Sequence, residues 1–451
     1  METRLRPRDA RLTGWGRTAP TRALLVSPRD AADLSALVAA APPRGLIARG
    51  LGRSYGDAAQ NAGGVVVDCT ALERRWSLDE AAGEVTATAG VSLDELMRAL
   101  VPRGWFVPVS PGTRHVTVGG AIAADVHGKN HHVDSSFGAH LRSLTLVTAD
   151  GRARVLTPGD ELFWATVGGM GLTGLIAEAT FGLVPIETSR MRVDIERTRD
   201  LDHTLEVMTA TDHRYRYTVA WIDLLATGAR LGRGVLTRAD HARREDLPRG
   251  GRGLDFAPAA WLAAPPYVPG GLLNRLTVRA FNQVWYGKAP RRRHGLIQPI
   301  APFFHPLDFV RDWNRIYGPR GFVQYQFAVP FGAEDTLRRV VSRLSADGVV
   351  SFLTVLKRFG AGTPGPLSFP MPGWTLALDI PAGVPGLAAL LRELDEWIAA
   401  AGGRIYLAKD SRMRAELLPA MYPRLNEWRN IRNKVDPHGL FRSDLARRLD
   451  L

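Results

Sequence analysis

Cysteine is almost absent from this chain. Cys69 is the only cysteine among 451 residues, which excludes a framework of intramolecular disulfides and is compatible with a reducing compartment. Long apolar runs are also missing, because no uninterrupted stretch is long enough to span a bilayer as a helix. The N-terminal residues lack the apolar core of a conventional secretory signal. We therefore expect a cytoplasmic protein without a cleaved leader.

Lysine is scarce as well, although the chain is strongly basic. Its 58 Lys and Arg residues outnumber 45 Asp and Glu residues, for a net charge of +13. Such a charge suits nucleic acid, an anionic substrate or a membrane surface as partner. Burial can tune the pKa of an ammonium group, which a guanidinium does not offer, so the few lysines are candidates for chemistry. They are Lys129, Lys288, Lys357, Lys409 and Lys434.

Glycine is concentrated in three turns of the N-terminal half, at residues 49–57, 112–120 and 168–174. Consecutive backbone N–H groups in such turns form a cradle for a pyrophosphate, and glycine permits close approach. The first turn, RGLGRSYGD, fits neither the dinucleotide fingerprint nor the P-loop. Three turns bordering short strands predict a long ligand threaded through one domain.

The most informative stretch is PGTRHVTVGGAIAADVHGKNHH, residues 111–132. Its small residues let the backbone approach a flat ligand, and the imidazole and ammonium groups after it can carry proton chemistry. A tightly packed strand followed by a polar loop is the alternative interpretation. The spacing of His127, His131 and His132 permits a metal site. Because no cysteine and few carboxylates lie nearby, we expect none.

A serine hydrolase is a further alternative, because residues 52–56 match the G-x-S-x-G pattern of a nucleophile elbow around Ser54. That elbow should open a helix. Residues 57–64 have no apolar helical face, which argues against a nucleophilic Ser54.

Strands and helices mix irregularly along the chain, which favours an α+β fold. A capping box predicts a helix that begins after Ser92, and Asp150-Gly151 predicts a hairpin. After about residue 185 the strands become longer. In one of them, period 2 places Gln324 and Gln326 on the same face. With Lys357 and Lys409 they are candidates to line a polyol and phosphate pocket.

Residues 256–273 hold four prolines and no charge, which excludes a continuous helix. They predict either a proline-rich surface loop or an interfacial loop whose flanking arginines meet anionic headgroups. The nearby RGGRG motif at Arg249–Gly253 lacks interleaved aromatic residues and a recognised module. We therefore expect no nucleic-acid partner.

Several segments carry a resemblance that covers nearly the whole chain. They are ARGLGRSYGDAAQN, PGTRHVTVGGAIAADVHGKNHH, ELFWATVGGMGLTG, FHPLDFVRDWNRIYGPRGFVQYQF, PLSFPMPGW and AKDSR…MYPR…KVDP. Together they resemble the decaprenylphosphoryl-β-D-ribose oxidase family, within the vanillyl-alcohol-oxidase-like, PCMH-type FAD-binding fold. The resemblance implies two domains: an FAD-binding domain at residues 1–187, completed by residues 404–451, and an α+β substrate-binding domain at residues 188–403.

The resemblance also implies an activity, a cofactor and partners. The activity is FAD-dependent oxidation of the ribose C2 hydroxyl of decaprenylphosphoryl-β-D-ribose to the 2-keto intermediate, the first step toward decaprenylphosphoryl-β-D-arabinose for cell-wall arabinan. An FAD-dependent oxidase of another sugar or polyol is the alternative. The implied partners are a separate NADH-dependent keto-reductase and a membrane contacted peripherally, and the family places the protein on the periplasmic face. The first Gly-rich turn lacks the histidine used elsewhere for covalent attachment, so we expect non-covalent FAD.

The resemblance assigns roles residue by residue. Lys409 is implied to accept the hydroxyl proton or to organise the acceptor, His127 to position substrate and flavin, with the two roles open to exchange, and Tyr55 to lie near the flavin. The implied substrate contacts are Lys129, Gln324, Gln326, Lys357 and Lys409. The implied FAD contacts are Arg49, Gly50, Gly52, Arg53, Ser54, Tyr55, Gly56, Asp57, Gly112, Thr113, Thr117, Gly119, Gly120, Ala121, Ala124, His127, Gly128, Asn130 and Gly174.

The chain departs from the family pattern at two positions. Ala377 stands where some relatives carry Cys, which removes a thiol from the implied pocket. Phe304 stands where relatives carry Tyr, which removes a hydroxyl. Thiol-directed reagents are therefore expected not to form an adduct in this pocket.

Overall fold

A computed structural model describes residues 5–248, 253–258 and 262–451. The RGGRG motif therefore lies almost wholly outside the described residues, and so do residues 259–261 of the proline-rich segment. Helices and strands are mixed, so the predicted α+β class is confirmed. The helices are α1 (Ala31–Ala39), α2 (Leu93–Leu100), α3 (Val118–Ala123), α4 (His131–Asp134), α5 (Glu161–Thr166), α6 (Leu201–Thr211), α7 (Arg275–Lys288), α8 (Ile300–Phe304), α9 (Glu334–Ala346), α10 (Leu387–Ala400), α11 (Leu418–Met421), α12 (Leu425–Val435) and α13 (Asp444–Leu449).

Two sheets form from the first 182 residues. One has four strands, in the order β1 (Arg8–Leu12), β2 (Thr21–Val26), β4 (Val65–Asp68) and β3 (Leu46–Arg49). The other has five antiparallel strands, in the order β5 (Trp76–Asp79), β6 (Glu84–Thr88), β10 (Leu175–Gly182), β8 (Leu141–Val147) and β9 (Ala153–Leu156). The predicted hairpin at Asp150-Gly151 joins β8 to β9, and Gly151 supplies the positive φ of 75°.

The third sheet is antiparallel and holds most of the later strands. Its order is β16 (Arg292–Pro299), β12 (Arg190–Thr198), β14 (Gly234–His241), β13 (Tyr217–Ile222), β19 (Thr354–Phe359), β20 (Gly373–Pro381), β18 (Phe322–Pro330) and β21 (Arg404–Ile405). The remaining strands pair as β7 (Trp105–Phe106) with β11 (Val184–Pro185) and β15 (Leu262–Ala263) with β17 (Val310–Arg311). This grouping follows the predicted division near residue 187, whose boundaries stay a prediction.

The large sheet has one helix-covered face and one open face. On β18, Tyr325 donates a hydrogen bond to Asp395 of α10 on the covered side. Gln324 and Gln326 therefore project from the opposite face, as the period of the strand predicted. Within the described residues, none of the helices has both the length and the apolar character needed to cross a membrane.

The C-terminal segment packs against the N-terminal part of the chain. Leu46 of β3 bridges to Phe441, and the Arg448 guanidinium is paired with the carboxylate of Asp57 at 2.8 Å. Arg448 also pairs with Asp410 at 2.8 Å. The last helices are thereby fixed against the first Gly-rich turn.

The small-residue segment is a helix rather than a packed strand. Thr117 caps α3 by accepting a hydrogen bond from the Gly120 amide. A Cβ on Gly119 would stand 2.9 Å from the Cβ of Ala89, so only glycine lets this helix lie so close to the segment that follows β6. The predicted capping box at Ser92 is confirmed at the start of α2.

Asp125, two residues after the last residue of α3, joins three separate segments. Its side chain is fully buried, and its φ is +40°. Its carboxylate accepts hydrogen bonds from Ser136 and the Gly138 amide in one loop and from Thr363 and Ser368 in another. The carboxylate therefore fixes the end of α3 against a segment that lies more than 200 residues later.

We predict that Asp125→Ala lowers the free energy of unfolding by about 3 kcal/mol or more, because four buried donors lose a charged acceptor. Asp335→Ala is the control, since the Asp335 side chain is 99% exposed and its loss is expected to cost within about 0.5 kcal/mol. Chemical denaturation measures both values. Equal losses in the two variants would contradict the structural role of Asp125.

Candidate active site

One large cavity of about 960 Å³ runs between the Gly-rich turns and the open face of the large sheet. Its volume is at the upper end of the range for small-molecule sites, roughly 300–1,000 Å³. One end is walled by residues 50–55 and 110–120, the middle by β18, β19 and β20, and the far end by the C-terminal turn of α7. The cavity therefore suits a long ligand together with a second molecule.

Most of the predicted site residues line this cavity. They are Gly50, Gly52, Arg53, Ser54, Tyr55, Gly112, Thr113, Thr117, Gly119, Gly120, Ala124, His127, Gly128, Lys129, Gly174, Gln324, Gln326, Lys357 and Lys409. The structure thus brings together residues that are up to 359 positions apart in the sequence.

Five predicted FAD contacts stand behind the cavity wall instead. Asp57 is engaged by Arg448, and the Gly56 backbone presses against the Asp410 carbonyl. Ala121 is fully buried inside α3. The Asn130 side-chain amide donates to the Pro108 carbonyl, and the Arg49 guanidinium donates to the carbonyls of Thr13 and Ala59. Direct contact of these five residues with FAD stays a prediction. The hydrogen bonds of Arg49, Asp57 and Asn130 stabilise the cavity wall from behind.

The Gly-rich end of the cavity has the features of a diphosphate site. Arg53 lies over the Trp15 ring, 3.8 Å from its centroid, and burial lowers the pKa of its guanidinium. No ion pair among the described residues includes Arg53 or Arg49. The positive charge next to the Gly50–Gly52 turn is therefore available to an anion, and the residues present fit the diphosphate of FAD.

Three of the five lysines meet in the middle of the cavity. Burial lowers the pKa of both Lys129 and Lys357 to about 7 and that of Lys409 to about 8. Lys129 Nζ donates to the carbonyls of Phe303 and Phe304 at 2.9 and 3.0 Å. Because no carboxylate lies within ion-pair distance of any of these ammonium groups in the described chain, an anionic ligand is the counter-charge that the site lacks.

His127 is held on both ring nitrogens. Its Nε2 lies 2.9 Å from Nε2 of Gln326, which also donates to Thr375 Oγ1 at 3.2 Å. The Thr375 hydroxyl donates its own proton to the Phe327 carbonyl. The Gln326 amide nitrogen must therefore be the donor both to Thr375 Oγ1 and to His127 Nε2. His127 Nε2 therefore accepts, and its proton resides on Nδ1.

This proton position fixes the state of Lys357. Nδ1 of His127 lies 2.9 Å from Lys357 Nζ, so the ring N–H donates and Lys357 must accept as a neutral amine. Burial holds the pKa of His127 well below its usual range, and Lys357 lowers it further whenever its amine is protonated. His127 and Lys357 are therefore both neutral in this hydrogen-bonded arrangement.

Lys409 is held differently from the other two lysines. Its Nζ lies 4.0 Å from the centroid of the Tyr55 ring. Among the described residues, no hydrogen-bond acceptor is in contact with that Nζ. The amine therefore keeps its hydrogen-bonding capacity for a ligand in the cavity.

The alternatives raised by the sequence are not supported by the geometry. The three histidines do not converge on a point, because His132 Nε2 contacts the carbonyls of Asp212 and Tyr215 and His131 Nδ1 accepts from the Gly360 amide. Ser54 is followed by turns rather than by the helix that a nucleophile elbow requires.

The two departures from the family pattern lie where the sequence implied. Ala377 lines the cavity beside Gln326, its partner across the β18–β20 pair. Phe304 also lines the cavity and packs on Tyr217 at 4.9 Å between ring centroids. The site thus presents a methyl group and a phenyl ring at these positions.

Sequence reasoning missed three groups. Tyr406 lines the cavity and donates to the Ala124 carbonyl at 2.8 Å. Asp379 is fully buried behind Gln324, and its signal was a lone carboxylate in the apolar strand WTLALDIP. Trp285 lines the far end of the cavity from a helix face whose exposure the sequence did not indicate, next to Lys288, which was already a candidate because lysine is rare.

Comparison with known proteins agrees with this geometry. Residues 22–157 match the FAD binding domain family, and residues 380–449 match the D-arabinono-1,4-lactone oxidase family. The chain is 47% identical to decaprenylphosphoryl-beta-D-ribose oxidase of Mycolicibacterium smegmatis, over 98% of this chain and 97% of that protein. It is 26% identical to L-gulono-1,4-lactone dehydrogenase of Mycobacterium tuberculosis, over 94% of this chain and 95% of that protein.

A further relative is the alditol oxidase of a Streptomyces species, 25% identical over 97% of this chain and 98% of that protein. The matched domain makes FAD the cofactor, and the Gly-rich turns and Arg53 form the end of the cavity that fits it. On its near-half identity over almost the full length of both proteins, the chain belongs to the decaprenylphosphoryl-β-D-ribose oxidase family of FAD-dependent oxidoreductases.

Proposed function

We propose that the protein oxidises the ribose C2 hydroxyl of decaprenylphosphoryl-β-D-ribose to the 2-keto sugar. The observation that carries this proposal is the continuous cavity. It joins a Gly-rich end that fits FAD to three buried lysines and then to an apolar, basic opening. A sugar with a phosphate on one side and a polyprenyl chain beyond it matches this order of surfaces.

FAD, when bound, accepts the hydride that leaves C2 of the sugar. The hydroxyl proton must go to the protein, and Lys409 is the acceptor that the geometry favours. Its amine lines the cavity with a pKa lowered to about 8, while both ring nitrogens of His127 are occupied by Gln326 and Lys357. His127 is then a positioning group. We further propose that FAD is held non-covalently, since the Gly50–Gly56 turn offers no cysteine or histidine.

The substrate phosphate supplies the counter-charge that the lysine cluster lacks. Lys129 and Lys357 are within the same cavity wall as Gln324 and Gln326, whose amides can hydrogen-bond sugar hydroxyls. Binding of the singly charged phosphodiester favours the protonated form of each nearby lysine. The cluster therefore recognises a charged sugar phosphate in preference to a free sugar.

The polyprenyl chain requires an apolar exit, and α7 provides one. We define the α7 face as its four exposed apolar residues, Leu276, Phe281, Val284 and Trp285. Trp285 and Lys288 also line the cavity, so this face adjoins the opening.

The charge of the segment that contains α7 also favours a membrane as the partner. Residues 256–307 contain no Asp or Glu but carry six basic residues, a pattern that suits anionic lipid headgroups. We propose that the α7 face contacts a bilayer peripherally, so that the lipid-linked sugar enters the cavity while its tail stays in the membrane.

The product defines the remaining partner. A 2-keto sugar becomes the arabinose epimer only when a second enzyme returns a hydride to C2 from the opposite face. We propose that a separate NADH-dependent reductase carries out this step, and that the pair serves cell-wall arabinan synthesis at the membrane. An oxidase of soluble polyols is the competing function.

We predict that decaprenylphosphoryl-β-D-ribose reduces the bound flavin under anaerobic conditions, because the cavity fits both its phosphate and its tail. Loss of the oxidised flavin absorbance measures the reaction. The 2-deoxyribose analogue is the matched control, since it keeps phosphate and tail but lacks the oxidised hydroxyl. Reduction by free ribose or xylitol, with none by the lipid-linked sugar, would instead establish the soluble-polyol oxidase.

We also predict that Lys409→Met slows substrate-dependent flavin reduction by roughly 10²-fold or more, the usual effect of losing a general base. FAD content is expected to stay unchanged, because the first Gly-rich turn is untouched. Lys434→Met is the control, since Lys434 lies on the surface near Glu161. An unaltered reduction rate in Lys409→Met would remove Lys409 from the proposed role.

For the membrane contact, we predict that the Leu276→Asp, Val284→Asp double variant loses at least tenfold in binding to vesicles containing phosphatidylglycerol. Val155→Asp is matched in chemistry, because Val155 is 71% exposed but lies on β9, away from the cavity. Co-sedimentation measures binding. Equal binding by the double variant and the wild type would rule out the α7 face as the contact surface.

A further inference from the structure

A buried carboxyl group, that of Asp379, contacts Gln324 in the wall of the cavity that Lys409 also lines. Asp379 is on β20, opposite Gln324 of β18 in the strand register, and its side chain is fully buried. The Gln324 amide donates to Asp379 Oδ1 at 2.6 Å, and the Tyr317 hydroxyl donates to Oδ2 at 3.4 Å. Neutral groups, rather than a cation, therefore satisfy this carboxyl group.

The carboxyl group is connected to the cavity through its neighbours. Gln324, Tyr55 and Lys409 all line the cavity, and Lys409 Nζ lies over the Tyr55 ring. The titratable groups that face Asp379 are Lys409, Tyr317 and Tyr55. Lys409 is the only cation among them.

We propose that Asp379 is a positioning residue, which sets the charge of Lys409 and holds the Gln324 amide toward the sugar. Its role in catalysis rests on the proposed function, but the coupling between the two side chains does not. The carboxylate stabilises the Lys409 ammonium across the low-dielectric interior. Lys409 then releases its proton only near neutral to slightly alkaline pH.

The two groups shift each other in the expected directions. Burial lowers the pKa of Lys409 to about 8, and the negative charge of Asp379 opposes that fall. Burial raises the pKa of Asp379 to about 7, and the hydrogen bond from Gln324 and the charge of Lys409 oppose that rise. Removing the carboxylate leaves the burial of Lys409 uncompensated, so the pKa of Lys409 must fall further.

Lysine labelled with ¹³C at Cε tests this coupling in the holoenzyme without substrate. The chain has five lysines, so each signal can be assigned by single Lys→Arg substitutions. In Asp379→Asn, which keeps an acceptor oxygen for Gln324, we expect the Lys409 signal to titrate about one pH unit lower, a tenfold shift in its proton equilibrium. The pH at which flavin reduction responds to Lys409 moves in the same direction.

Asp395→Asn is the matched control. Asp395 is also a buried carboxyl whose pKa is raised to about 7 by burial, but it lies on α10 and binds Tyr325. The Lys409 titration is expected to stay within about 0.2 pH units in this variant, and Asp379→Glu is expected to restore it. An unshifted Lys409 titration in Asp379→Asn would overturn the proposal, whether or not the enzyme oxidises the lipid-linked sugar.

The reverse measurement does not require the Asp379→Asn variant to fold. Coupling between two titrating groups is reciprocal, so Lys409→Met should raise the pH at which the Asp379 carboxyl loses its proton. Infrared difference spectra show this as a protonated-carboxyl band that persists above pH 7. A band that disappears at the same pH with and without Lys409 would contradict the coupling.

Discussion

The arrangement of the site depends on the Asp125 carboxylate. It ends α3, it accepts hydrogen bonds from two loops, and it stands two residues before His127. The close approach of α3 to Ala89 and the positive φ of Asp125 both cost conformational freedom. The four donors hold the carboxylate in one position, so they also fix the direction in which the chain leaves α3. That direction places His127 within hydrogen-bond distance of Gln326 and Lys357.

The sequence predicted the residues of the site better than the relations between them. Glycine turns and rare lysines were recognisable because few other residue types serve those roles. The form of residues 118–123 was not, since the sequence VGGAIA is compatible with a helix or a strand, and packing on β6 and β10 decides between them. The resemblance placed Lys409 and His127 together but left their roles open to exchange. The hydrogen-bond partners of the His127 ring, which come from two strands of another sheet, separate them.

Other features depended on tertiary structure alone. Asp379 is one polar residue in an apolar strand, and nothing local indicates that a lysine 30 positions later approaches it. The apolar character of α7 was readable, but an amphipathic helix normally buries that face. Only the fold shows that the helix buries Val278 and Asn282 while Leu276 and Val284 face outward. Five predicted cofactor contacts lie behind the wall for a similar reason, because a motif does not state which of its residues point inward.

The position of Tyr406 and Lys409 also bears on the order of events in the cell. Both line the cavity, yet they belong to the final segment of the chain, and Arg448 secures that segment to Asp57 near the beginning. While the ribosome still holds residues 404–451, the cavity has no wall on that side and the first Gly-rich turn is not clamped. The cavity is therefore closed only after residues 404–451 have left the ribosome and packed against the first Gly-rich turn. A chain that ends before residue 404 would lack Tyr406 and Lys409 and would leave the cavity open on that side.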